Sequence, residues 1–288
     1  PRLSSALLNL GYIHLQVGNI PEAKAYFNLL RKKFPYDPNI PLTYFYWAEY
    51  FYRKKDFQKA ADAFQYIVQK YPENRIAKKA AVGLAKSLKE LEFYKQAKEI
   101  IDYIEQRWPR YYIDDPDFLI LSGYVAYKNK KYQQAKEKFW HYVNLRPQGD
   151  KADIALARIG DIYLLGGKKR AAKEVYQETV TRFADQEGGL IAAMRLAEEW
   201  IYDQPTINQM YSVFNRPYNL RPRKLYTMII KKFPDSPLAP VAMLKLAIWQ
   251  LWRNQYFDAL QTINKFFRQY KNKKELKPRA EELVVQIF

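Results

Sequence analysis

Apolar, small and polar positions recur along this chain at one long interval. Ala23, Ala60, Ala97, Ala135 and Ala172 are separated by 37, 37, 38 and 37 residues, and Pro222 and Ala259 are again 37 apart. Three residues before most of these stands an apolar or aromatic side chain: Ile20, Phe57, Tyr94, Tyr132 and Tyr256. Four residues after them come Phe27, Phe64, Ile101, Phe139, Tyr176, Tyr226 and Ile263. Twelve after them come Pro35, Pro72, Pro109, Pro147 and Pro234, with Ala184 and Lys271 where Pro is missing. Twelve before them lies another small residue: Gly11, Ala48, Ala85, Gly123, Gly160 or Ala247.

This spacing predicts helical hairpins. A small residue on the first helix and the Ala on the second are expected to meet where the helices cross, since larger side chains would push them apart. The Pro is expected to end the second helix, because it cannot donate a backbone hydrogen bond and biases its predecessor away from helix. Strand-like Val-Ile-Thr alternation is scarce, and ten Gly residues are few for a chain of many turns.

The pattern resembles the tetratricopeptide repeat, W-x2-L-G-x2-Y, then A-x3-F, then P. The first repeat reads Leu7, Leu10, Gly11, His14, Ala23, Phe27, Pro35, and the second reads Tyr44, Trp47, Ala48, Phe51, Ala60, Phe64, Pro72. The resemblance implies an all-α, right-handed superhelical solenoid of about seven helix pairs spanning residues 1–274. Residues 275–288 carry Leu276, Ala280, Leu283, Val284 and Ile287 on one stripe and are expected to form a capping helix. The interval from Ala172 to Pro222 is 50 residues, so thirteen are inserted within 203–221 of the sixth repeat. Three extra residues per repeat fall in turns such as Lys33-Phe34-Pro35-Tyr36-Asp37-Pro38 and Lys232-Phe233-Pro234-Asp235-Ser236-Pro237. Such turns look like those of longer-period bacterial cell-envelope members of the family.

Composition narrows the chemistry. Cysteine is absent, which excludes disulfides, thiolate metal sites and a cysteine nucleophile, and which fits an oxidising compartment. A periplasmic or envelope-associated location is therefore expected, with the cytoplasm as the alternative. No apolar run reaches the length of a membrane span. No phosphate-cradling Gly loop, nucleophile elbow or metal-spaced ligand set appears, so neither catalysis, a cofactor nor a metal is expected. His14 takes the Tyr position of the repeat, which gives it a packing role. Asp114, Asp115 and Asp117 are expected to begin a helix, where acids are favoured.

In this family the first helix of each repeat lines a concave groove. Carrying those positions over gives Asn9 and Tyr12, then Phe45, Tyr46, Glu49 and Tyr52, then Lys86. Further along come Tyr124 and Tyr127, Arg158 and Asp161, Arg195 and Glu198, Lys245 and Trp252. Aromatics offer large contact area at low entropy cost, which suits a protein or peptide partner. The basic and amide set with which chaperone-binding members grip a C-terminal carboxylate falls on Leu8, Tyr12, Tyr46, Lys79 and Gly83, so that clamp is absent.

The net charge of +18 favours anionic partners, and residues 201–288 alone hold 15 basic against 6 acidic side chains. In and beside the insertion, Arg216, Arg221 and Arg223 alternate with Tyr211, Phe214 and Tyr218, a mixture suited to an anion with stacking. Basic hairpin turns at Arg53-Lys54-Lys55, Lys128-Asn129-Lys130-Lys131 and Lys168-Lys169-Arg170 add an edge that could meet an anionic glycan or a membrane surface. The long period and apolar groove argue against nucleic acid. The sequence thus points to a protein-binding scaffold of the bacterial envelope, with a polyanion-binding module using 203–232 as its rival.

Overall fold

The computed structural model describes residues 2–198, 222–235, 238–274 and 276–287, and every regular element among them is a helix. The chain divides into two compact units, residues 1–145 and 146–288. In the first, α1 (Arg2–Gln16) pairs with α2 (Ile20–Lys33), α3 (Ile40–Arg53) with α4 (Phe57–Lys70), and α5 (Arg75–Glu90) with α6 (Tyr94–Arg107). A one-turn helix α7 (Tyr111–Asp114) leads into the pair α8 (Asp117–Lys128) and α9 (Tyr132–Leu145). In the second, α10 (Ala152–Leu165) and α11 (Lys169–Arg182) pack with α12 (Glu187–Glu198). There α13 (Pro222–Lys232) packs on α14 (Leu238–Trp252), α14 pairs with α15 (Tyr256–Gln269), and α16 (Lys277–Ile287) rests on both members of that pair. None of the described helices is long and apolar enough to cross a membrane.

The scarcity of glycine has a structural answer. Among the described residues, each hairpin turns through one left-handed residue: Gly18, Lys55, Glu92, Lys130, Gly167 or Asn254, with φ between 56° and 80°. The next residue's N–H donates to the carbonyl five residues back, as from Asp56 to Phe51 and from Lys131 to Ala126. This is the Schellman closure of a helix end. Only two of the six positions are glycine, so four non-glycine residues carry the strain of that conformation, roughly 1 kcal/mol each.

The second helices end where expected, but proline is not the cause everywhere. α11 and α15 stop at Arg182 and Gln269 although Ala184 and Lys271 replace the Pro. What recurs is an aromatic residue at the helix end whose N–H still bonds four back: Phe34 to Leu30, Tyr71 to Ile67, Trp108 to Ile104, Phe183 to Thr179, Tyr270 to Phe266. The turn carbonyls then clasp the following repeat. Pro38 accepts from Asn74, Pro147 from Arg182 and Pro234 from Tyr270.

The small positions are confirmed as crossing points, with a different partner. A methyl on Gly11 would lie 2.4 Å from the Phe27 ring, one on Gly123 2.7 Å from Phe139, and one on Gly160 2.3 Å from Tyr176. The glycine therefore makes room for the aromatic four residues beyond the Ala, and the Ala itself is simply buried. Where the first helix carries Ala85 or Ala247, that aromatic is replaced by Ile101 or Ile263 in the same core. In the second repeat Ala48 keeps the aromatic Phe64, and the room is made by Gly83 of the next first helix, whose Cβ would lie 2.5 Å from that ring.

The three Asp residues also divide. Asp117 alone opens a helix of full length, whereas Asp114 ends α7 and pairs with Lys78. His14 stacks on Tyr26 at 5.3 Å, in keeping with a packing role.

Candidate functional site

The first unit holds an open concavity of about 710 Å³ built by three successive first helices and α7. α1 supplies Tyr12 and Gln16, and α3 supplies Phe45, Glu49, Tyr52 and Arg53 at helical spacing. α5 supplies Arg75, Lys78, Lys79, Val82, Gly83 and Lys86, and Tyr111, Asp114 and Asp115 close the far side. The spacing of three and four residues puts each set on one helix face.

The floor depends on a glycine. A Cβ on Gly83 would lie 2.5 Å from Phe64, so the absent side chain lets that ring of α4 reach the concave surface. Phe45 stands against Phe64 with ring centres 5.6 Å apart and is itself buried, so it belongs to this floor. Tyr12 is exposed and lies against Tyr46 at 4.4 Å, which leaves Tyr46 behind the wall. Tyr52 packs edge-on against Phe57, and burial, with Glu90 beside it, pushes its hydroxyl up to about 12. It therefore stays a neutral donor across the physiological range.

The charges are laid out unevenly. Lys78 is held by Asp114 and lies 4.9 Å from the centre of the Tyr111 ring. Arg53 donates to Gln16. Glu49 keeps an open surface, yet the crowding of the concave wall raises its carboxyl above the usual range against the pull of Arg53 and Lys79. Arg75, Lys79 and Lys86 run along α5 with none of them in a salt bridge among the described residues.

Of the groove residues projected from sequence, Tyr12, Phe45, Glu49, Tyr52 and Lys86 are thus brought together. Tyr124 and Tyr127 lie elsewhere in the first unit. Tyr124 faces Tyr94 with Lys89 and Lys128 near its ring, and Tyr127 meets Tyr132 edge-on at 5.6 Å. In the second unit Asp161 is buried, not groove-facing. It accepts from Arg158 at 2.9 Å, Tyr176 at 2.8 Å and Arg195 at 3.0 Å, so its oxygens are committed to the fold. Trp252 is exposed and Lys245 half-buried. Of the second candidate set, Arg223 is exposed on α13, whereas Tyr211, Phe214, Arg216, Tyr218 and Arg221 lie outside the described residues.

Gln16, Arg53, Lys79 and Val82 of the concavity occupy the same repeat positions as the projected residues, so spacing alone could have found them. Arg75, Tyr111 and Asp115 could not be found that way, because they come from a helix start and from the connection that holds α7.

Among known proteins, tetratricopeptide-repeat family models match residues 8–75, 155–185 and 241–273. A search of curated sequences returned no significant match. A crystal structure of a tetratricopeptide repeat protein from Parabacteroides merdae superposes with a TM-score of 0.66 at 13% identity, covering 100% of this chain and 99% of that one. Pseudomonas aeruginosa pilF gives a TM-score of 0.55 at 16% identity over 87% of this chain and 97% of its own. MamA from Desulfovibrio magneticus RS-1 gives 0.52 at 16% identity over 65% of this chain and 98% of its own. The 37-residue hairpin period, the small-on-aromatic crossings and these matches agree: the chain belongs to the tetratricopeptide-repeat family.

Proposed function

We propose that this protein is an interaction scaffold of the bacterial cell envelope that holds a peptide or helix of another protein in the concavity of its first unit. Tetratricopeptide-repeat proteins bind protein partners, and their fold typically serves as a non-enzymatic scaffold. The observation that carries the finer reading is the lining itself: Tyr12, Tyr52 and Tyr111 stand around an open site of about 710 Å³ with cations on one wall. Rigid aromatics with a charged rim are the residues that dominate protein recognition. The envelope location rests on the cysteine-free composition and the K-F-P turns.

A photo-reactive amino acid placed at Tyr52, and in a parallel strain at the exposed Phe257 of α15, tests the site in living cells. Discrete protein adducts from position 52 alone are expected, in the envelope fraction. Equal adducts from both positions, or none from 52, would remove the concavity as the binding site. The polyanion reading is favoured by the exposed Arg223, Lys224, Lys231 and Lys232 of α13. It takes precedence if reversing those four charges abolishes partner binding while Tyr12→Ala with Tyr52→Ala leaves it intact.

A further inference from the structure

We propose that the concavity selects an extended segment carrying three side-chain carboxylates, read by Arg75, Lys79 and Lys86 along α5. The proposal rests on the concavity being the binding site and names the chemistry of its partner. It follows from how the charges of the two walls are satisfied.

Five cations line the site, and two are already engaged: Lys78 by Asp114 and Arg53 by Gln16. The two carboxylates at the far side do not reach the remaining three, since Asp114 serves Lys78 and Asp115 accepts from the Tyr111 hydroxyl. Glu49 on the facing wall acts on Lys79 without forming a salt bridge among the described residues, and one carboxylate facing three cations leaves the row in positive excess. Arg75, Lys79 and Lys86 therefore present a one-sided row of positive charge beside an aromatic wall. Two walls of that kind fit an acidic strand with apolar side chains between its acids, and repel a basic one.

The spacing of the row sets the spacing of the acids. From Arg75 to Lys79 the helix rises about 6 Å, and from Lys79 to Lys86 about 10 Å. An extended chain covers those spans in about two and three residues. A strand turns only every second side chain to one wall, so the matching segment carries acids at its first, third and seventh positions, within reach of the long Lys86 side chain, with the intervening side chains turned to Tyr12, Tyr52 and the Phe64 floor. Its carboxylates are on side chains, so no chain terminus is needed.

Selection of random dodecapeptides, displayed with their C-termini fused to the carrier, tests this on the full chain. Three baits are compared: the natural protein, Arg75→Glu with Lys79→Glu and Lys86→Glu, and Lys95→Glu with Lys130→Glu and Lys131→Glu. The last three are exposed, lie outside the concavity and change the net charge equally. Circular dichroism confirms that each bait is folded, and the Gln triple at 75, 79 and 86 replaces the Glu triple if that one is not. Peptides enriched in Asp and Glu at the stated spacing are expected from the natural and control baits and not from the ladder variant. The tightest peptide should bind the ladder variant about tenfold or more weakly and the control within about twofold. Equal loss in both variants would mean unspecific attraction to a basic chain and would overturn the proposal. Peptides without acid enrichment that are lost on Tyr12→Ala with Tyr52→Ala would overturn it while leaving the concavity as the site. A pool indifferent to both the ladder and the tyrosines would overturn the concavity itself.

Discussion

Glu49 and Asp161 stand at the same repeat position, each directly after the small residue of a first helix, and their surroundings differ completely. Glu49 lies open in the concavity of the first unit with its carboxyl raised by crowding. Asp161 is buried in the second unit and accepts three hydrogen bonds. Fifteen residues on, the second helix brings Phe64 to the first carboxylate's level and Tyr176 to the second's. The Tyr176 hydroxyl reaches Asp161, while Phe64 offers Glu49 nothing. Arg158 and Arg195, one turn and one repeat away, complete the enclosure. A repeat position therefore fixes where a side chain points, and its neighbours decide whether it meets a ligand or serves the core.

The largest expected effect comes from removing the enclosed acid. Asp161→Ala takes away the acceptor shared by two guanidiniums and a hydroxyl, and should destabilise the second unit by about 2 to 4 kcal/mol in urea unfolding. Glu49→Ala should stay within about 0.5 kcal/mol. Comparable losses at both would break the contrast.

Next comes the crossing beneath each acid. Gly160→Ala and Gly83→Ala place a methyl 2.3 Å from Tyr176 and 2.5 Å from Phe64, and each should cost about 1 to 3 kcal/mol by calorimetry. Only Gly83→Ala should also weaken ligand binding, because it displaces the floor of the concavity. Silence at both would mean that the rings move freely.

Exchanging the neighbours sharpens the point further. Tyr176→Phe should cost about 1 kcal/mol by loss of one hydrogen bond to a buried carboxylate. Phe64→Tyr adds a hydroxyl to the buried ring carbon that lies on Gly83, so it should cost about 1 kcal/mol or more, and a hydroxyl that finds Glu49 should lower that carboxyl in an NMR titration. No movement of Glu49 would show that the ring is too deep to reach it.

The smallest effect is a pH dependence. A carboxyl whose folded value is raised binds its proton more readily in the folded state, so its charge opposes folding above that value. Glu49→Gln should therefore raise the melting temperature slightly at pH 7. The gap to the natural protein should close as the pH falls through the raised value. A Gln variant that melts lower at pH 7, with the deficit closing on acidification, would reverse the sign and show that Glu49 is held by Arg53 and Lys79.

Much of the fold was legible because repeat spacing is a local property. Helix pairs and the Ala and Pro registers followed from intervals along the chain, and the candidates Tyr12, Phe45, Glu49, Tyr52 and Lys86 from laying the family's groove positions on those intervals. What escaped was set by contacts across it. Lys55, Glu92 and Lys130 give no sign of a left-handed turn, since nothing local favours that conformation for them; the paired helices impose it. The Asp114 pairing with Lys78 joins residues 36 apart, through the one-turn helix α7.

By itself the sequence determined that this chain forms helical hairpins with an interval of 37 residues, because small, aromatic and proline positions act on the helix that carries them. It also determined which side chains share a face, since 3.6 residues per turn leaves no choice. Only the tertiary structure decided that Gly11 and Gly160 face aromatic rings, that Asp161 is sealed while Glu49 is open, and that α7 closes the concavity. Those outcomes depend on volume and hydrogen-bond partners supplied by other helices, and burial has no signature in the residue that is buried.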